Sequence, residues 1–419
     1  MSASSKTYLC IDLKSFYASV ECVERGLDPL TAKLVVADPT RTEATICLAV
    51  TPELKRLGVK NRCRIYEIPP NMEYITAPPR MRLYIDYSTR IYKVYMKYVA
   101  KEDIHVYSID EAFLDITDYM SLRGQTPREF AQMIMADILE TTGITATCGI
   151  GTNLYLAKVA LDIIAKKAPH FIGELTEESY CRLLWKHRPL TDFWRIGPGT
   201  TARLARIGIQ NMGEVAHADP KSLYKAFGID AELLIDHAWG REPTTIQDIK
   251  NYKPKTTSLS SGQVLPRGYA YEEGRIVVRE MAEALSLDMF DKGLATNSIT
   301  LYLSYSFSSN VPVSRSSTSM VATSSVSRIC GSIDKMYTSI RNKSAPMHRI
   351  GIAFAVRDDT FQQYDMFTSP EKQDKERRLQ RAILDIRQKH GANGILRAMD
   401  LMDGARTIER NSQIGGHRA

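Results

Sequence analysis

The chain has 419 residues, with 55 Lys and Arg against 48 Asp and Glu, for a formal net charge of +7. That length allows about two to four domains with ample apolar core, and 44% hydrophobic with 25% charged residues excludes a fibrous or mainly disordered chain. Seven scattered cysteines without a CxxC pair, histidines without metal-type spacing, a polar start with no signal peptide and no bilayer-length apolar run together predict a cytoplasmic protein lacking disulfides, zinc or a membrane span.

Residues 8–12 read as a short apolar strand ending in Asp12, and residues 33–38 and 44–50 as buried β-branched strands. Tyr84, Tyr87, Ile91, Val94, Tyr95 and Tyr98 recur at helical spacing over 84–100. Two strand-like runs, 104–109 and 112–117, are split by Asp110-Glu111; a helix opened by Pro127 reaches residue 142, and a strand (144–150) and a helix (153–167) follow. With 33–82 set aside as an insertion, the order is β-α-β-β-α-β, the ferredoxin-like split arrangement. In that topology the right-handed crossover leaves a gap beside the first strand that the third strand fills, antiparallel. The carboxyl end of strand one then lies beside the turn joining strands two and three. Asp12 is therefore expected to meet Asp110 and Glu111, about a hundred residues away.

Residues 175–240 read as a small helical unit, in which Arg195-Ile-Gly-Pro-Gly-Thr-Thr-Ala-Arg-Leu resembles the turn of a helix-hairpin-helix element. The polar stretch 251–267 reads as a linker, 275–292 as a helix, and 299–307 as a strictly alternating strand. The stretch 294–333 holds no acid but carries Arg315, Arg328 and many hydroxyls, the features of a sheet face that tracks nucleic-acid phosphates without reading sequence. A strand at 350–356 and a charged helix at 371–389 complete the reading.

The converging acids carry the chemistry. Mg²⁺ prefers carboxylate oxygens together with substrate phosphates, and two such ions about 4 Å apart polarise an attacking hydroxyl and stabilise a leaving pyrophosphate. Asp12, Asp110 and Glu111 supply the charge for that site, with the Leu13 carbonyl as a neutral ligand. Two adjacent acids at a tight turn between apolar strands repel each other unless a counter-ion is present. Gly197 and Gly199 leave room at a helix start for a DNA phosphate to approach backbone N–H groups.

Three segments, Asp12-Leu-Lys-Ser-Phe-Tyr-Ala-Ser-Val-Glu21, Tyr107-Ser-Ile-Asp-Glu111 and Gly149-Ile-Gly-Thr-Asn-Leu-Tyr-Leu-Ala-Lys158, resemble the Y-family, lesion-bypass DNA polymerases, closest to their UmuC/ImpB/MucB/SamB-like branch. The resemblance extends over roughly residues 6–367. It implies an α/β (α+β) right-hand polymerase with a ferredoxin-like palm (1–32 and 83–174), small fingers (33–82), a helical thumb (175–250), a linker (251–267), a little finger (268–360) and a clamp-binding peptide with a tail (361–419). It also implies a DNA-directed DNA polymerase that performs error-prone translesion synthesis from dNTPs on primer-template DNA, in SOS-type damage tolerance, with two Mg²⁺ ions.

By the same resemblance, Asp12, Asp110 and Glu111 fall on the metal-binding acids, and Phe16-Tyr17 on the nucleotide site, with Tyr17 as the steric gate that leaves no room for a 2′-hydroxyl. Lys55 in the fingers and Lys166 in the palm fall on triphosphate contacts. One extra residue after Lys158 leaves Lys167 as the alternative, Pro52 stands where many members have tyrosine, and Lys14 replaces an acid or amide. Gln363-Tyr364-Asp-Met366-Phe367 resembles the peptide with which bacterial polymerases hold a β-type sliding clamp. The branch further suggests an activating accessory protein. Two other readings stand beside this one: a catalytically silent DNA-binding replisome factor, which the intact acids disfavour, and a nucleotidyl cyclase on a related palm, which would lack fingers, thumb and clamp peptide.

Overall fold

A computed structural model describes residues 6–254, 257–306, 310–359 and 369–419. The chain divides into two compact units, Met1–Tyr252 and Lys253–Ala419. Among the described residues no helix is long and apolar enough to cross a membrane, and all seven cysteines are free thiols.

The first unit begins with β1 (Tyr8–Leu13), whose side chains are almost all buried, followed by α1 (Phe16–Val23). β2 (Leu34–Val36), β3 (Ala49–Val50), α2 (Pro52–Arg56) and β4 (Ile75–Ala77) build a separate three-stranded sheet, order β3-β2-β4, in the segment expected to be an insertion. α3 (Met81–Tyr95) follows, burying the expected stripe from Tyr84 to Tyr95. Next come β5 (Ile104–Val106), β6 (Glu111–Asp115), α4 (Thr117–Arg123), α5 (Pro127–Thr142), β7 (Ala146–Gly151), α6 (Leu154–Val159) and β8 (Ile172–Leu175). α5 starts and stops where its sequence directs: Thr126 and Glu129 form a capping box before Pro127, and Gly143 takes the left-handed conformation that closes it.

The main sheet has the order β5-β6-β1-β7-β8, with β1 antiparallel to both β6 and β7. This is the split β-α-β-β-α-β pattern, extended by β8, which runs parallel to β7. Gly149 and Gly151 of β7 let α6 lie hard against the sheet. A Cβ at either position would sit 2.0 Å from the Ala157 carbonyl oxygen or 2.2 Å from the Ala157 nitrogen, so only glycine fits.

Six helices complete the unit: α7 (Glu177–Leu184), α8 (Pro198–Arg206), α9 (Met212–His217), α10 (Pro220–Phe227), α11 (Asp230–Ala238) and α12 (Ile246–Asn251). α7 to α11 share a core containing Tyr180, Phe193, Leu204, Met212 and Leu223, which also takes in Tyr155 and Leu156 of α6, whereas α12 packs Ile246 with Tyr8 and Phe113 of the main sheet. Each fully buried large side chain of this kind contributes about 1.5–3 kcal/mol.

The second unit comprises β9 (Thr257–Tyr269), α13 (Tyr271–Asp291), β10 (Leu294–Tyr305), β11 (Ser314–Thr323), α14 (Val326–Thr338), β12 (Met347–Asp358), α15 (Pro370–His390) and the short α16 (Thr407–Asn411). Its antiparallel sheet has the order β11-β10-β12-β9, and α13 and α14 bury Val277, Met281, Ile329 and Ile333 against Ile299, Leu301 and Phe354 of the sheet.

Four expectations need correction. The stretch 251–267 is not a linker throughout: α12 runs to Asn251, and Thr257–Tyr269 is an edge strand paired with β12. Its polarity is that of a strand with one exposed face, and Pro266 is tolerated at an edge. The acid-free stretch 294–333 is not all sheet, because its end turns into α14 behind the N-cap Ser325, so Arg328 lies in the first turn of a helix. Residues 44–50 yield a strand only at Ala49–Val50, preceded by a single bridge from Ile46 to Arg64. The alternating run 299–307 ends its strand at Tyr305, and Phe307 lies outside the described residues.

Candidate active site

The site is built by strand register. Asp12 on β1 is paired directly with Glu111 on β6, and the Leu13 N–H donates to the Asp110 carbonyl at 2.9 Å. The backbones of the three acids are thus neighbours, as the topology requires. The turn holding two of them is tied down by its own backbone, since the Tyr107 and Ser108 N–H groups both donate to the Glu111 carbonyl at 2.9 and 3.0 Å. Ser108 Oγ donates to Asp110 Oδ1 at 2.6 Å, and Ser88 Oγ from α3 donates to the Ile109 carbonyl at 2.6 Å.

Two lysines face these acids. Lys158 Nζ lies 3.0 Å from Glu111 Oε1 and 2.8 Å from Asp162, while Lys166 Nζ lies 2.7 Å from Asp162 and 3.4 Å from Asp12. The buried Cys10 thiol also donates to Glu111, at 3.1 Å. Burial, helped by the charges of Asp110 and Glu111, raises the Asp12 carboxyl to about 6 against the downward pull of Lys166 and Lys158. Burial works against the charge on Lys158, yet Glu111, Cys10 and Asp162 prevail and hold it well above the usual ammonium range. Among the described residues no three acid, histidine or cysteine side chains are gathered closely enough to hold a metal ion; each carboxylate is instead held by a neighbour. The donor set nonetheless fits a divalent cation. It consists of hard oxygen ligands, and both the burial that chiefly raises Asp12 and the smaller repulsion from Asp110 and Glu111 are offset by a bound cation.

Lys166, not Lys167, is the lysine that reaches Asp12. After Val159 the helix opens into a π turn over residues 160–164 and then a 3-10 turn over 165–167. A π turn takes up one additional residue, which accounts for the extra position between Lys158 and Lys166. Sequence reasoning assigned no role to Lys158. Its signal was the spacing of Lys158, Asp162 and Lys166 at intervals of four, which stacks opposite charges along one helical face.

The remaining assignments divide. Tyr17 stacks on Tyr84 with ring centroids 4.5 Å apart, beside the acid turn, whereas Phe16 is 2% exposed and belongs to the core. Lys55 of α2 donates to Ser15 Oγ at 2.9 Å, bringing a cation of the inserted sheet to the end of β1. Ser15 holds the left-handed conformation at φ 50, and Lys14 sits 3.9 Å over the Phe171 ring. Gly197 and Gly199 open α8, where an added Cβ would meet nothing within 4 Å, so the chain's own packing does not require glycine at either place. Arg315 lies on β11 opposite Tyr302. These last positions are apart from the acids in sequence and element, and Arg315 and Arg328 belong to the other unit. The peptide containing Gln363, Tyr364, Met366 and Phe367 lies outside the described residues.

A right-hand fold with an acid-bearing split sheet defines a class. The solved Y-family DNA polymerase chimera Dbh-Dpo4(243-245)-Dbh superposes with a TM-score of 0.66 over 83% of this chain and 98% of that one, at 23% identity, so the fold is that of the Y-family polymerases: palm, fingers, thumb and little finger. Residues 11–162 match the impB/mucB/samB family and residues 256–366 match the impB/mucB/samB family C-terminal domain. The "Putative UV-damage repair protein UvrX" of Bacillus subtilis (strain 168) is 33% identical over 424 residues, spanning 99% of this chain and 98% of the relative. "DNA polymerase IV 2" of the same organism is 28% identical over 421 residues, 98% of each. The chain belongs to the impB/mucB/samB family.

Proposed function

We propose that this chain is a DNA-directed DNA polymerase of the Y-family that adds deoxynucleotides to a primer 3′-hydroxyl opposite damaged template bases. The observation that carries the reading is the pairing of Asp12 with Glu111, with Asp110 bonded through its backbone to Leu13, on a palm sheet of the polymerase type. Asp12, Asp110, Glu111 and the Leu13 carbonyl would hold two Mg²⁺ ions. When bound, these ions supply Lewis-acid polarisation of the attacking hydroxyl and charge neutralisation for the leaving pyrophosphate.

The chain's own groups do the rest. Lys55, bonded to Ser15, and Lys166, near Asp12, would bind the triphosphate of the incoming nucleotide. The Tyr17 ring, backed by Tyr84, presents a flat wall to the sugar and excludes a 2′-hydroxyl by shape. Lys158 holds Glu111 in place from within the palm. At α8 the open Gly197 and Gly199 expose helix N-terminal N–H groups to a DNA phosphate. In the little finger Arg315, among the hydroxyls of β11, tracks the backbone; Arg328, on α14, joins it only if DNA reaches that helix. We assign the domains as before but start the little finger at Thr257, and we take residues 363–367 as the peptide that tethers the enzyme to a sliding clamp.

The test is primer extension by the purified chain on intact and lesion-bearing templates, alone and with added clamp. Mg²⁺-dependent extension past a lesion supports the reading. Tight primer-template binding with no incorporation under any metal, even with clamp and accessory factors, would leave a silent DNA-binding factor in its place.

A further inference from the structure

The acid turn is gripped from the thumb side by an aromatic side chain outside the acid and lysine cluster. Trp194 Nε1 donates to Tyr107 Oη at 3.1 Å, and Tyr107 is the residue whose N–H closes the turn bearing Asp110 and Glu111. The two rings meet edge to face at 5.9 Å, and both pack on the buried Phe113 of β6, Tyr107 at 5.8 Å and Trp194 at 5.9 Å. Trp194 also lies under the Arg195 guanidinium at 4.9 Å, and Arg195 takes a left-handed φ of 68, a conformation that costs a non-glycine residue free energy unless its surroundings hold it. Arg195 and Ile196 lead directly into Gly197, the N-cap of α8. One aromatic side chain therefore joins the start of α8 to the first residue of the acid turn, within a single compact unit.

We infer that Trp194 is a positioning residue for the polymerase reaction: through its N–H bond to Tyr107 it fixes the α8 N-terminus, and the DNA strand held there, at a set distance from Asp110 and Glu111. The inference rests on the polymerase reading for its catalytic consequence, but the latch itself has a readout that does not. Reacting groups displaced by about 1 Å lose rate while binding is kept, so the contact should act on turnover more than on DNA affinity.

The test compares the full chain with Tyr107→Phe, which keeps its ring and loses only the hydroxyl, with Trp194→Phe, which loses the indole N–H together with the five-membered ring, and with the double variant. Each single variant is expected to lower kcat about fivefold, the worth of one hydrogen bond, with the Kd for primer-template nearly unchanged; the melting temperature should stay level in Tyr107→Phe and fall in Trp194→Phe, which gives up ring packing as well. The double variant should be no worse than either single one. Amide exchange at Ile196 and Thr201, which bond to the Phe193 and Gly197 carbonyls, should quicken about fivefold in both single variants. Unchanged amide exchange in the single variants, or kcat losses that multiply in the double one, would overturn the latch. Quickened exchange in a chain whose parent extends no primer would keep the latch and defeat the polymerase reading instead.

Discussion

In the little-finger unit, Asp334 accepts from the guanidinium groups of both Arg275 and Arg279, Glu283 pairs with Arg397, and Glu280 accepts from the backbone N–H groups of Arg406 and Thr407. In the palm, Asp12 instead lies beside two further acids, with Lys166 at 3.4 Å as its near cation. The consequences differ in kind. Hydrogen bonds from Arg275 and Arg279 hold the Asp334 carboxyl well below the usual carboxylate range, whereas burial and like charges lift Asp12 to about 6. Glu280 is also raised, chiefly by burial, but there its backbone donors pull the other way. A carboxylate supplied with its own donors is a strut. Carboxylates buried beside like charges cost stability even where each has a partner, which a fold tolerates where a cation is to be bound.

Asp110→Ala separates the two roles most strongly. It should lower Mg²⁺-dependent primer extension by at least about 10³-fold while leaving primer-template affinity close to the parent's. Because it removes one of three crowded charges, the melting temperature should stay level or rise. A variant that keeps extension would remove Asp110 from the metal site, and one that unfolds would make the acid turn a strut after all.

Glu242 is a strut within the same unit as the site. Its carboxylate meets His237 Nε2 at 3.1 Å and accepts from the Thr244 N–H at 2.9 Å, beneath the stacked Tyr155 and His237 rings. Burial alone would raise its pKa, but His237 and Thr244 outweigh it and bring the group from 4.5 down to about 2. A depressed carboxyl contributes stability that is complete above its unfolded value and is lost as pH falls through its folded one. Glu242→Gln should therefore cost about 2–3 kcal/mol at pH 7 in urea unfolding. The gap to the parent should close as pH falls from 4.5 to about 2. A gap that persists unchanged at the acid end would mean that packing, not charge, accounts for the loss.

The same contrast explains what could be read in advance. The meeting of Asp12 with Glu111 follows from apolar strands, helical spacing in α3 and α5 and the handedness of the crossover, all of which survive in one dimension. β9 does not, because an edge strand with hydroxyls on its exposed face has the composition of a linker. The helix carrying Arg328 is hidden in another way: serines and threonines recur from β11 through its N-cap Ser325, so composition gives no break between strand and helix. The choice of Lys166 over Lys167 depended on a π turn, a register change that no residue type announces. Local pattern thus shows where acids converge, and register decides which cations answer them.

Tyr17→Ala tests selection by shape in place of charge. With the ring that stacks on Tyr84 removed, discrimination between deoxynucleotides and ribonucleotides should fall by at least about tenfold, read as the ratio of kcat/KM values. Unchanged sugar selectivity would move the gate elsewhere, and Phe16, locked in the core, is not placed to take it over.

The smallest effect belongs to a strut of the C-terminal unit. Glu376 of α15 accepts from Ser325 Oγ at 2.8 Å, from the Ser327 N–H at 2.9 Å and from Ser327 Oγ at 2.7 Å, so one carboxylate closes the N-terminus of α14 and docks the tail helix on it. A negative group at a helix start offsets the dipole and satisfies donors that would otherwise face water. Glu376→Gln keeps the shape and one acceptor oxygen but loses the charge, which should cost about 1 kcal/mol and lower the melting temperature of this unit by about 2–4 °C. Basal primer extension should stay within about twofold of the parent, since a change of this size in one helix cap leaves the unit folded. Loss of extension without a melting shift would place Glu376 among the functional acids and erase the division between the two units.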